Sequence, residues 1–130
     1  MSIAIVPVYA ALLALLFVAL SLRVIGARRS GKVAIGAGGD AGLERRMRVH
    51  ANFAEYAPFA LLLLALAELR GAPALLLHGL CLALLIGRAA HAWGVSDPSE
   101  DFRFRVFGMA ATFTVILITA LVLLVGAVLR

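Results

Sequence analysis

A single cysteine, Cys81, leaves this chain no intrachain disulfide and no multi-cysteine metal site. Because it lies inside an apolar run, it reads as a small hydrophobe of the core or the lipid face. Charge is scarce as well: 15% of the residues are Asp, Glu, Lys or Arg, where soluble domains carry about a quarter. The cations stand between apolar runs instead of forming one basic surface, which excludes nucleic-acid binding as a reading. Gly36, Gly38 and Gly39 follow no strand and no GK[ST] ending comes after them, so neither a phosphate-binding loop nor a dinucleotide fingerprint is present. No feature supplies an ATP site or an electron-transfer cofactor.

What remains is apolar. Hydrophobic residues make up 64% of the 130 positions and the mean hydropathy is +1.06, too much for an ordinary soluble domain. The pattern predicts one all-α membrane domain covering 1–130, a bundle of four transmembrane helices over approximately 3–25, 43–69, 74–93 and 106–129. The first span has no cation at its amino end and no convincing cleavage site after it, so it reads as a retained helix and not a signal peptide. Pro7 falls in its first turns, where a missing amide is least costly, and Arg23 reads as an anchor at its carboxyl end. A flexible basic connection then runs from Ala27 to Asp40. Asp40 or Glu44 suits the start of the second helix. Glu68 to Pro73 forms a compact turn, and Asp97 to Asp101 a polar loop.

Orientation follows from the cations near the span ends. The connections at 26–42 and 94–105, with their flanks, hold nearly all of them, whereas Arg70 and Arg130 are the chief cations of the other side. Those two loops are therefore expected in the cytoplasm with both termini outside, in an inner or plasma membrane. This topology gathers the end of helix one, the start of helix two, the end of helix three and the start of helix four.

The stretch Arg45 to Pro58 carries charge directly into a hydrophobic helix. Arg48, Asn52 and Glu55 stand at i, i+4 and i+7 and share a face, while His50 points the other way and is expected to pair with a neighbouring helix. A carboxylate at membrane depth must pair, accept hydrogen bonds or take up a proton, so Glu55 demands a partner. Arg88, His91 and Arg105 can approach it from other helices. Two readings stay open: a structural ion-pair network, or a pocket whose arginines take the carboxylates of an acidic ligand while Asn52 and Glu55 recognise its amide or amino groups. A metal site is not expected, because His50, His78 and His91 are too differently placed to share an ion. Tyr9 reads as an interface anchor and Tyr56 as helix packing.

Two runs, Arg48-Val49-His50-Ala51-Asn52-Phe53-Ala54-Glu55-Tyr56-Ala57-Pro58 and Arg88-Ala89-Ala90-His91-Ala92-Trp93-Gly94, together resemble the MAPEG family, membrane-associated proteins of eicosanoid and glutathione metabolism. The resemblance covers nearly the whole chain. It implies a homotrimer of four-helix protomers with glutathione as cosubstrate in clefts between subunits, acting as a transferase or peroxidase on small apolar electrophiles or lipid hydroperoxides. By the same resemblance Arg48, Asn52, Glu55, Arg88 and His91 hold glutathione, Glu55 taking its amino group, and Arg105 favours the thiolate. Ala51 stands where some eicosanoid-forming relatives have arginine, and Val95 where some have tyrosine. The rival reading is a noncatalytic lipid-binding or scaffold protein with the same fold. A small transporter, coupled through the membrane glutamate, is a third.

Overall fold

A computed structural model describes residues 2–129; Met1 and Arg130, the latter counted above on the sparsely charged side, lie outside the described residues. Four helices follow in order: α1 (Val6–Gly31), α2 (Ala41–Leu69), α3 (Ala74–Ser96) and α4 (Phe102–Val128). Each is long and apolar enough to cross a membrane. The helices outrun the predicted spans at the charged end because helical structure continues past the apolar layer. Arg28 and Arg29 form the last turn of α1, where cations suit the helix dipole, so the Ala27–Asp40 connection begins only at Lys32. Lys32 closes that turn in the left-handed region at φ 53°, its amide reaching the carbonyls of Arg28 and Arg29. Asp40 caps α2 by accepting the Leu43 amide at 3.1 Å, and Asp101 starts α4 four residues ahead of the predicted span by accepting the Arg103 amide at 3.0 Å.

The opposite end is held by a residue the sequence placed in a turn. Glu68, in the last turn of α2, accepts the amides of Ala4, Ile5 and Val6 at 2.8, 2.6 and 2.9 Å. A carboxylate thus satisfies three amides at the start of α1 that no side chain of α1 caps. Glu68→Gln keeps one acceptor oxygen and loses the charge. It is expected to cost about 1 kcal/mol, read as a lower unfolding temperature in detergent; an unchanged temperature would remove the cap from the stability of the bundle.

Around the bundle the order is α1, α2, α4, α3, with α2 and α3 also touching across the middle and α1 and α4 not touching. Leu13, Leu20, Phe53, Leu64 and Leu84 fill the centre, and Cys81 is fully buried among them. Large side chains such as Leu15, Leu62, Phe113 and Leu124 point outward, as lipid-facing surfaces require. The hydroxyls of Ser21, Thr112 and Thr119 return to carbonyls one turn back, so each of these three donors is paired within its own helix. Glycine permits the closest crossing: a Cβ on Gly108 would lie 2.5 Å from the Gly87 carbonyl oxygen and 2.6 Å from the His91 Cβ. Such small residues let membrane helices approach backbone to backbone.

Candidate functional site

At the charged end, the start of α2, the end of α3 and the start of α4 enclose a cleft of about 440 Å³. Gly94 sets its width, because a Cβ there would meet the Phe104 Cβ at 2.6 Å and the Arg105 amide nitrogen at 3.2 Å. The first turn of α4 therefore closes on α3 and carries Arg105 to the cleft wall. Of the six residues singled out in the sequence, Arg48, Asn52, His91 and Arg105 line this space. The expected convergence of polar segments holds for α2, α3 and α4.

Arg88 stands behind the wall, 1% exposed. Its Nη1 donates to Asn52 Oδ1 at 2.5 Å, and its Nη2 approaches the Gly108 carbonyl at 3.5 Å and the Met109 sulfur at 3.4 Å. Among the described residues it has no carboxylate partner, and its Nε is unpaired. The bond to Asn52 orients that amide and leaves its NH2 group and the second lone pair of its oxygen to meet a ligand. Its NH2 group suits an acceptor such as a carbonyl or carboxylate. His91 is buried three residues along α3, also on the wall, and its ring nitrogens make no hydrogen bond among the described residues.

Glu55 is exposed on the protomer surface, outside the cleft lining, and has no ion pair or hydrogen bond among the described residues. Neither Arg88 nor Arg105 reaches it. Arg105 instead pairs with Glu100, which the sequence showed only as part of a polar loop. Its Nε stands 2.7 Å from Glu100 Oε2 and its Nη2 donates to Oε1 at 2.7 Å. The Nε approach is an ion contact without hydrogen-bond alignment, since both atoms lack a directed partner. Arg45 joins the same carboxylate at 2.9 Å and donates to the Val95 carbonyl at 3.0 Å. The Glu100 side chain is 3% exposed, so this is a sheltered bridge between α2 and α4 across the cleft mouth. Arg105 Nη1 makes no hydrogen bond or ion pair among the described residues. Glu44 also lines the cleft, supplying a carboxylate at its aqueous edge. In the adjoining loop, the amide and hydroxyl of Ser99 hold the Asp97 carboxyl below its usual range, and the side chain of Arg103 does the same for Asp101.

The other histidines are occupied elsewhere. His50 Nε2 meets Ser21 Oγ of α1 at 3.0 Å and the ring stacks on Phe17, which is the expected pairing with a neighbouring helix. His78 Nδ1 meets the Tyr9 hydroxyl at 2.9 Å at the other membrane face. Tyr56 packs edge-on against Phe113. Among the described residues no three of His, Cys, Asp and Glu gather at one point.

Comparison with known proteins agrees with this architecture. The MAPEG family profile matches residues 6–125. Inner membrane protein YecN of Escherichia coli strain K12 is 37% identical over 113 residues, covering 87% of this chain and 85% of the relative. YecN of E. coli O6:H1 strain CFT073 matches to the same extent.

Proposed function

We propose, starting from the fact that this chain belongs to the MAPEG family, that its cleft binds glutathione and presents the thiol to an apolar electrophile or a lipid hydroperoxide. The observation that carries the reading is the donor wall: Arg48 without an anionic partner among the described residues, the Asn52 NH2 group and the free edge of Arg105, all lining one cleft. Glutathione has two carboxylates, amides, one ammonium and one thiol. Arg48 and Asn52 suit its carboxylate and carbonyl oxygens, and Glu44 suits its ammonium. A volume of about 440 Å³ lies in the range of small-ligand pockets.

The cleft is bounded by one protomer, and Glu55 lies just outside it. A homotrimer with its sites between subunits would give Glu55 the covering that it lacks in the protomer, and would let it compete with Glu44 for the single ligand ammonium. The relatives are inner membrane proteins, and four apolar helices suit a multi-pass protein of that membrane; the cations flanking the two loops at the charged end favour a cytoplasmic side for the cleft.

In this reading Arg105 Nη1 faces the sulfur and stabilises the thiolate electrostatically, the proton leaving to water. For transfer, the sulfur lone pair forms a carbon–sulfur bond as the electrophile loses its leaving group. For peroxide reduction, two thiols are oxidised to a disulfide while the hydroperoxide becomes an alcohol and water. No side chain forms a covalent intermediate.

Two observations favour the noncatalytic rival: Glu100 already pairs with Arg105, and Val95 offers the cleft an isopropyl group and no hydroxyl. Titration of glutathione into purified protein in lipid nanodiscs, followed by turnover with a panel of electrophiles and hydroperoxides, separates the two. Saturable binding, weakened about tenfold by Arg48→Gln, is expected. Arg105→Gln should reduce kcat more than it raises KM. Folded protein that binds no glutathione sinks both catalysis and binding; binding without turnover leaves the scaffold reading.

A further inference from the structure

A second cavity, of about 620 Å³, lies between α1 and α3 and shares no lining residue with the cleft. Its walls are apolar, with Leu16 and Leu20 on α1 facing Ala92 and Trp93 on α3. Its rim holds two charges, Arg23 and Asp97. Arg23 is not the helix-end anchor that the sequence suggested, because α1 runs two further turns to Gly31 and carries this cation along the groove. It makes no hydrogen bond or ion pair among the described residues, and Arg46, of like sign, acts on it. An arginine at the head of an apolar membrane groove that is paired with no anion among the described residues can take one from outside.

Asp97 supplies the other half of the pattern. It follows the last residue of α3, and its Oδ1 accepts both the amide and the hydroxyl of Ser99, at 2.9 and 2.8 Å. Oδ2 is left open. Although Arg23 and Asp97 border the same groove, they form no ion pair with each other. The rim thus shows separate positive and negative points above an apolar trough. Trp93, 75% exposed, stands beside them with the amphipathic ring favoured at membrane interfaces.

We propose that the α1–α3 groove holds one zwitterionic aminophospholipid, its phosphodiester on Arg23, its primary ammonium on Asp97 and an acyl chain along Leu16 and Leu20. An anionic lipid would satisfy Arg23 and be repelled by Asp97. A phosphatidylcholine would satisfy Arg23 and give Asp97 no N–H donor. Selectivity therefore rests on Asp97, and affinity on Arg23. Arg23 lies seven positions after Leu16, a rise of ~10 Å along the helix, enough for the first part of an acyl chain.

The test is native mass spectrometry of delipidated protein titrated with dilauroyl phosphatidylethanolamine, phosphatidylcholine and phosphatidylglycerol. The ethanolamine lipid is expected to bind at least ~10-fold tighter than the others, a difference of about 1.4 kcal/mol. Arg23→Gln should weaken all three lipids, and Asp97→Asn should erase the preference while retaining binding. Equal binding of the three lipids, a preference for the glycerol lipid, or indifference to both substitutions overturns the proposal. Should Arg23→Gln fail to fold, Asp97→Asn, on an exposed loop, decides by itself: an undiminished preference overturns the site.

Discussion

Gly108→Ala is expected to destabilise the bundle by about 1–3 kcal/mol, the cost of overpacking a site that cannot move aside. The added Cβ meets the Gly87 carbonyl oxygen at 2.5 Å and the His91 amide nitrogen at 2.9 Å. Both are backbone atoms of α3, so no side chain can rotate out of the way and the two helices must separate. Separation also lengthens the contact between the Gly108 carbonyl and Arg88, already 3.5 Å. The measurement is thermal unfolding in detergent, with Gly126→Ala as the control, since a Cβ there meets nothing within 4 Å. Equal unfolding temperatures for the two variants would show that α3 and α4 are not held at this crossing.

Arg88 gives the second large effect, and two substitutions divide it. Arg88→Ala opens a cavity in the core and leaves Asn52 Oδ1 without its donor. Its expected cost is about 3–5 kcal/mol, enough to prevent a stable fold in detergent. Arg88→Met keeps most of the volume and removes a buried cation that has no carboxylate partner. Replacing buried charge by a well-packed apolar side chain is often neutral for stability, so this variant should fold. It also frees the Asn52 amide to turn. If the cleft binds glutathione as proposed, the affinity is then expected to fall by about 10–100-fold, measured by calorimetry on folded protein. Full affinity in Arg88→Met would mean that Asn52 needs no orientation from behind. If Arg88→Ala were also stable, the buried guanidinium would have no structural part.

The four helices were legible because apolar runs of this length have few other uses. Their charged ends were not, because hydropathy marks where lipid stops and says nothing of where hydrogen bonding stops. Arg28 and Arg29 in α1, and Phe102 to Arg105 in α4, are helical beyond the apolar layer for that reason. The shared face of Arg48, Asn52 and Glu55 was correctly read, yet the three part company. Seven residues of helix rise ~10 Å, and this carries Glu55 past the lower edge of the cleft that Arg48 enters. Asn52, between them, is turned inward by Arg88, a partner 36 residues away. Glu100 carries no helical spacing toward Arg45 or Arg105, and only the folding of the α3–α4 loop brings it between them.

The grip of Glu68 on the start of α1 has a consequence in time. The first helix leaves the ribosome with three amides that can be satisfied by a carboxylate 62 to 64 positions later. At ~5–20 residues per second, that partner follows after roughly 3–12 s. Through that interval the start of α1 is without its carboxylate cap. Capping of the first helix is therefore a late event that waits on the completion of α2.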